Sequence, residues 1–180
     1  LEIDQQVLPL LADALLHDRP NVRAAAARAL EMLEIEDAYH SLLKALGDGD
    51  VWVRYYAVRS LGRMGRKSAL PFLSQLVQDT QEAPQVRVAA VKALGNLDGV
   101  EAVEILEALL FGAATDAAVA SGDAFRSVET EPDLMLAAIA ALGQIQSPEA
   151  LPPLLRLLQS PEPQLRVDAL RALGDTVRRG

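Results

Sequence analysis

Val86 to Gly95 reads VRVAAVKALG, and four other segments repeat its pattern: Val22 (VRAAAARALE), Val53 (VRYYAVRSLG), Leu134 (LMLAAIAALG) and Leu165 (LRVDALRALG). In the 86–95 copy the apolar and small residues Val86, Ala90, Ala93, Leu94 and Leu97 fall at i, i+4, i+7, i+8 and i+11. That spacing makes one broad face of an α-helix, where a half-buried strand would alternate. A face so wide needs neighbours on both flanks, and a stack of like units supplies them. The second residue of the pattern keeps the register. It runs Arg23, Arg54, Arg87, Met135, Arg166, at steps of 31, 33, 48 and 31 residues, so one step carries an insertion.

Working outward, each copy follows a loop rich in Asp, Gly and Pro and, before that, another apolar helix. Asp4 is expected to cap a first helix to His17, and the loop Asp18 to Asn21 leads to a helix from Val22 to Leu33. Pro20 suits a helix entrance and would break a helix interior. The next helices are expected over 37–46 and 51–64, then over 68–78 and 85–97. Asp98 with Glu101 reads as a capping box opening a fourth pair. Ser147-Pro148-Glu149 reads as the start of a fifth, with Ser as N-cap and Pro in the first turn. Pro9, Pro71 and Pro152 occupy one aligned position in the first helices and imply a shared bend. The glycines at 62, 95, 143 and 174 recur with the repeat and read as packing or turn residues near a helix end.

The expectation is an all-α chain forming a single domain over 1–180. Its five pairs span about 4–33, 36–65, 68–97, 99–145 (with an insertion at 111–132) and 148–178. Leu1-Glu2-Ile3 resembles Leu33-Glu34-Ile35, so the start is read as a cut through a longer array.

Composition narrows the function. Apolar residues make up 51% and aromatics only 4%, which leaves Ala and Leu to pack closely spaced helices. With 17 basic against 25 acidic residues the net charge is −8. That balance disfavours nucleic acid or an anionic membrane as partner, because phosphate binding needs a cationic surface. The absence of cysteine removes disulfides and thiolate metal sites. The longest strongly apolar run, 134–142, is too short to span a bilayer. With no visible targeting segment, a cytoplasmic location is expected.

The pattern V-R-x-x-A-x-x-A-L-G behind an Asp/Gly/Pro loop resembles HEAT-like repeats. More narrowly, it resembles the short variety found in phycobilin lyase subunits and bacterial scaffold proteins. The resemblance implies antiparallel pairs stacked into a right-handed α-solenoid (a superhelix), with the second helices lining its concave side. It also implies that the register arginines pair with loop acids of the same or the next repeat, for which Asp18, Asp48 or Asp50, and Asp79 are placed.

Five residues beyond each register position stand Arg28, Arg59, Lys92, Ala140 and Arg171. If the second helices line a groove, these form a basic stripe suited to an acidic peptide or partner surface; otherwise they are an ordinary solvated face. The second repeat also holds Trp52, Tyr55 and Tyr56 and a run of basic residues. Tyr55, Arg59 and Arg63 are read as outward-facing anchors, since aromatic and Arg side chains together favour interfaces; Trp52 is read as filling a gap between repeats, and for Tyr56 gap-filling and surface readings both stand. In the insertion, which is read from Phe111 to Pro132, Phe125 and Arg126 are candidate loop contacts.

No catalytic, metal or cofactor residues are assigned. His17 and His40 lie on different repeats, without the His-Glu or H-x-x-H spacing of zinc and di-iron helices. No nucleophile elbow, phosphate-cradling Gly loop or acid pair is present. The expected function is a noncatalytic scaffold binding a protein or peptide. The alternative that the resemblance implies is a lyase-like subunit handling a bilin. A third, resembling HEAT-like DNA glycosylases, conflicts with the acidic balance.

Overall fold

The computed structural model describes residues 2–33, 38–112, 121 and 131–179. Among these there are ten α-helices and no strand: α1 (Glu2–Ala14), α2 (Pro20–Leu33), α3 (Tyr39–Ala45), α4 (Val51–Met64), α5 (Leu70–Gln78), α6 (Pro84–Leu94), α7 (Val100–Phe111), α8 (Pro132–Gln144), α9 (Leu151–Leu157) and α10 (Pro163–Arg179). Short 3-10 turns, Lys67–Ala69 and Pro148–Ala150, precede α5 and α9. The chain divides into two compact units, residues 1–93 and 94–180.

Four of the five second helices (α2, α6, α8 and α10) begin on proline. Proline has no N–H to leave unpaired there, and its fixed φ is already helical. The fifth, α4, starts behind Asp50, whose carboxylate accepts from Trp52 N at 2.9 Å and Val53 N at 3.2 Å. Gly65, in the left-handed conformation at φ 63°, ends it. Pro71 and Pro152 sit in the first turns of α5 and α9. There the expected bend takes the form of a 3-10 turn passing into α-helix, while α1 runs through Pro9.

In the first unit α1 packs on α2, α3 on α4, and α2 on α4. In the second, α7 packs on α8, α9 on α10, and α8 on α10. Leu30, Leu61, Leu94 and Leu142, the equivalent leucines of the first four copies, are each fully buried, while Leu173 of the fifth is half-buried. The recurring glycine sets how closely second helices approach. A Cβ on Gly62 would lie 2.6 Å from Ala93 Cβ, and one on Gly143 would lie 2.8 Å from Ala172 Cα. One on Gly95 would lie 3.0 Å from Ala141 Cα. Each glycine is therefore a seat for the alanine of the following repeat. In the first repeat Glu31 takes this place, buried, and reaches across to α4.

Several local expectations are corrected. Helix α1 already begins at Glu2, so Asp4 lies inside it and is not its cap. Asp98 does not cap α7: it has φ 29°, Gly99 holds the N-cap position, and Asp98 Oδ1 accepts from Gln146 N at 2.9 Å. It ties the start of the fourth pair to the start of the fifth. Ser147 holds an N-cap position without capping, because its hydroxyl donates to the Glu149 carboxylate. Phe111 is the buried last residue of α7, not part of a loop, and the Arg156 guanidinium lies 4.4 Å from its ring centroid. Trp52 is half exposed and so fills no gap between repeats.

Candidate functional site

The register arginines hold neighbouring repeats together. Arg23 forms a paired contact with Asp48, Nε to Oδ2 at 2.7 Å and Nη2 to Oδ1 at 2.8 Å, and donates to the His17 and Asp18 carbonyls. Arg54 repeats the arrangement with Glu82, at 2.8 and 2.6 Å, and donates to the Asp48 carbonyl. Both acids come from the loop of the next repeat. Two parallel N–H···O bonds fix direction as well as distance. The hydrogen bond from Arg23 holds the Asp48 carboxyl below the ordinary carboxylate range. At Glu82 desolvation pushes upward, yet bonds from Arg54 and from Ala83 N outweigh it and the carboxyl is lowered. Glu82 thus takes the role expected of Asp79, which instead accepts from Gln81 N. In the third repeat Arg87 is buried and donates to the Val77 carbonyl. These arginines are structural.

Five residues along, Arg28, Arg59 and Lys92 are exposed at equivalent positions of α2, α4 and α6, and Arg171 is exposed on α10 of the second unit. Their surroundings differ. Arg59 Nη2 meets Glu31 Oε1 at 2.7 Å and Arg63 Nη1 approaches the same oxygen at 4.0 Å, so one buried carboxylate faces two of the expected anchor cations. Arg171 pairs with Asp168 on its own helix at 3.1 Å. Arg28 has no carboxylate partner among the described residues and lies 5.9 Å from the Tyr56 ring centroid.

The aromatic residues of α4 form one cluster. Trp52 and Tyr55 meet edge-on at 5.6 Å, Tyr55 and Tyr56 at 5.2 Å, and Trp52 and Tyr56 lie 6.5 Å apart. Tyr55 is half buried, and its hydroxyl accepts from Arg59 at 3.3 Å. Trp52 and Tyr56 form one wall of a groove of about 800 Å³, with Ala24, Ala25 and Ala29 of α2 and Arg28 opposite. The alanines are what leave it open. Trp52 keeps 50% of its surface in water, an unusual exposure for so large an apolar group.

Phe125 and Arg126 lie outside the described residues. His17 and His40 are exposed; His17 Nδ1 accepts from Arg19 N, and His40 packs against the Tyr39 ring. Among the described residues no group of three or more His, Cys, Asp or Glu is placed to hold a metal ion. Nor is any described helix long and apolar enough to cross a membrane. Sequence reasoning placed Tyr55, Arg59 and Arg63 at the surface but missed Glu31 and the groove. The one signal it had was Glu at a position where later repeats carry Gly.

The family model described as HEAT repeats matches residues 39–121 and 123–178. The model described as PBS lyase HEAT-like repeat matches residues 22–48. No curated protein matches the chain. Among solved structures, a chain of the complex of CpcE and CpcF of phycocyanin lyase from Nostoc sp. PCC7120 is similar at TM-score 0.70 and 26% identity, over 94% of this chain and 65% of that one. This chain thus spans 65% of its length. Human deoxyhypusine hydroxylase in complex with glycerol has TM-score 0.39 at 18% identity, covering 93% of this chain and 83% of that one. An engineered protein has TM-score 0.47 at 20% identity, covering 100% and 98%.

Proposed function

The chain belongs to the HEAT-repeat family, and from that premise we propose that it is a noncatalytic binding scaffold. Its recognition face is the α2–α4 surface, and its partner is a protein or peptide carrying a carboxylate beside an apolar side chain. The observation behind this reading is the groove between Trp52/Tyr56 and Ala24/Ala25/Ala29, with Arg28 at its side. Covering half-exposed Trp52 removes apolar surface from water, and Arg28 offers a cation that pairs with no carboxylate among the described residues. Tyr55, Arg59 and Arg63 on α4 and Lys92 on α6 lie outside the groove lining and make up the rest of the proposed contact surface. Arg59 and Arg63 contribute less than their number suggests, because Glu31 already faces them. Arg171 belongs to the second unit and adds a separate cationic point.

The probe is a displayed library of random peptides panned against the wild-type chain alone, the enriched peptides then being measured against Arg28→Glu and Trp52→Ala. Both residues are exposed, so the variants keep their helicity, which circular dichroism checks. Peptides enriched in Asp, Glu and apolar residues that lose binding to both variants support the reading. Selected peptides that bind the variants as tightly as wild type refute it.

A second reading follows from the likeness to a chain of the phycocyanin lyase complex: the same groove holds a bilin, with Arg28 on a propionate and Trp52 against the ring edge. Induced absorbance on adding a bilin to wild type, lost in Trp52→Ala, favours that reading over the first.

A further inference from the structure

Charge in the first unit is sorted by helix. The second helices α2, α4 and α6 carry two, three and two basic residues and a single acidic one, Glu31, although the chain has a net charge of −8. Three of these cations, Arg23, Arg54 and Arg87, are tied down by Asp48, Glu82 and the Val77 carbonyl. Arg28, Arg59, Arg63 and Lys92 are exposed. Of these, Arg28, Arg59 and Lys92 stand at one position of their repeats. That position is exposed on α4, between α2 and α6, so its exposure belongs to the repeat and not to a bare flank. Arg28 lies against the Tyr56 ring, and neither it nor Lys92 pairs with a carboxylate among the described residues. Arg59 gives Tyr55 and Glu31 only two of the five N–H groups that a guanidinium carries.

Helix packing sets the spacing of these three cations. Ser60 Oγ donates to the Ala27 carbonyl at 3.0 Å between α4 and α2, and Gly62 leaves no room for a Cβ against Ala93 between α4 and α6. Helices in such contact lie about 8–10 Å apart, and equivalent positions recur at that distance. Two residues of a β-strand advance about 6.8 Å, which falls short. Seven residues of an α-helix advance about 10.5 Å, which overshoots. Three residues of a polyproline II chain advance about 9.3 Å and return to the same face. We propose that the first unit binds an extended acidic peptide crossing α2, α4 and α6 in polyproline II conformation. A carboxylate at every third residue meets Arg28, Arg59 and Lys92 in turn. The proposal rests on the α2–α4 recognition face, extends it to α6 and gives its partner a spacing. An apolar residue beside the carboxylate on Arg28 covers Trp52, which is 50% exposed.

The test is calorimetric titration of the 180-residue chain with three peptides of equal length and one composition. Their glutamates fall at every second, every third or every seventh position. The every-third peptide should bind about fivefold or more tightly than either of the others, since each further exposed ion pair adds a little. Arg28→Gln, Arg59→Gln and Lys92→Gln, all at exposed residues, should each weaken it about two- to fivefold with helicity unchanged. Lys92 lies outside the groove, so it reads the extension alone. In Lys92→Gln, replacing one end glutamate of the peptide by glutamine should cost nothing further. Equal affinity for the three peptides, still lost in Trp52→Ala, overturns the spacing and leaves the groove reading in place. Affinity unmoved by Lys92→Gln does the same. A single-stranded oligothymidine that binds more tightly than every peptide also overturns the proposal, since phosphates would then be the ligand. So does binding by none of the three peptides, and those selected from the library then judge the groove separately.

Discussion

Alanine placed at Gly62 and at Gly174 should move stability in opposite directions, although the two residues occupy the same position of their repeats. At Gly62 the new Cβ would stand 2.6 Å from Ala93 Cβ and 2.9 Å from its Cα. Carbon atoms rest about 3.5–4.0 Å apart, so α4 and α6 would have to separate by roughly 1 Å. Overpacking of this kind costs about 1–3 kcal/mol, against which alanine recovers up to about 1 kcal/mol of helix propensity. Gly62→Ala should therefore lose up to about 2 kcal/mol. At Gly174 nothing lies within 4 Å, and the site is inside α10. Only propensity acts there, and Gly174→Ala should gain about 0.5–1 kcal/mol. Urea unfolding followed by helical ellipticity reads both. If the two variants shift the midpoint in the same direction, the glycine is not a seat between repeats and the stacking account fails.

Arg54→Ala leaves the Glu82 carboxylate, 7% exposed, without its two-point partner, and should cost about 2–3 kcal/mol in the same assay. Arg54→Lys should recover only part of this, since an ammonium lacks the fork geometry; full recovery would mean that charge alone matters. Asp48 and Glu82 are both held below the ordinary carboxylate range in the folded chain. The stability they contribute is thus complete above about pH 4–5, where unfolded carboxyls are ionised, and is lost as pH falls through the lower folded values. Comparing urea midpoints of wild type and Asp48→Asn/Glu82→Gln across acid pH should show the two curves converging as pH drops, and parallel curves would deny the linkage. Leu94→Ala, at a position with no exposed surface, should cost about 2–5 kcal/mol, and a loss under about 0.5 kcal/mol would mean that this face is not core.

Much of the fold could be read from one ten-residue pattern because its physical demands are local and repeated. A wide apolar face, an arginine in register and a glycine near the helix end recur at Arg23/Leu30, Arg54/Leu61/Gly62 and Arg87/Leu94/Gly95, and each occurrence supports the others. Helix starts were less legible. Proline at 20, 84, 132 and 163 opens its helix ahead of the apolar pattern, and Asp98 resembles a cap only until its bond to Gln146 is seen. The site was half legible. Arg59 and Arg63 are exposed while Tyr55 is half buried, and both arginines face Glu31, a partner from the preceding repeat that no spacing within one helix reveals. Trp52 is large and apolar, so the sequence favoured burial. Its exposure follows from the small alanines opposite it on α2, a property of two helices together.

The chain has one tryptophan, Trp52, so its intrinsic emission reports on the groove alone. Titrating the wild-type chain with an acidic peptide selected from the displayed library, and following that emission, tests the recognition face most directly. The account predicts a saturating change in Trp52 emission, abolished in Arg28→Glu. Saturable binding seen by calorimetry with Trp52 emission unchanged, and with affinity intact in Arg28→Glu, would place recognition elsewhere and contradict it.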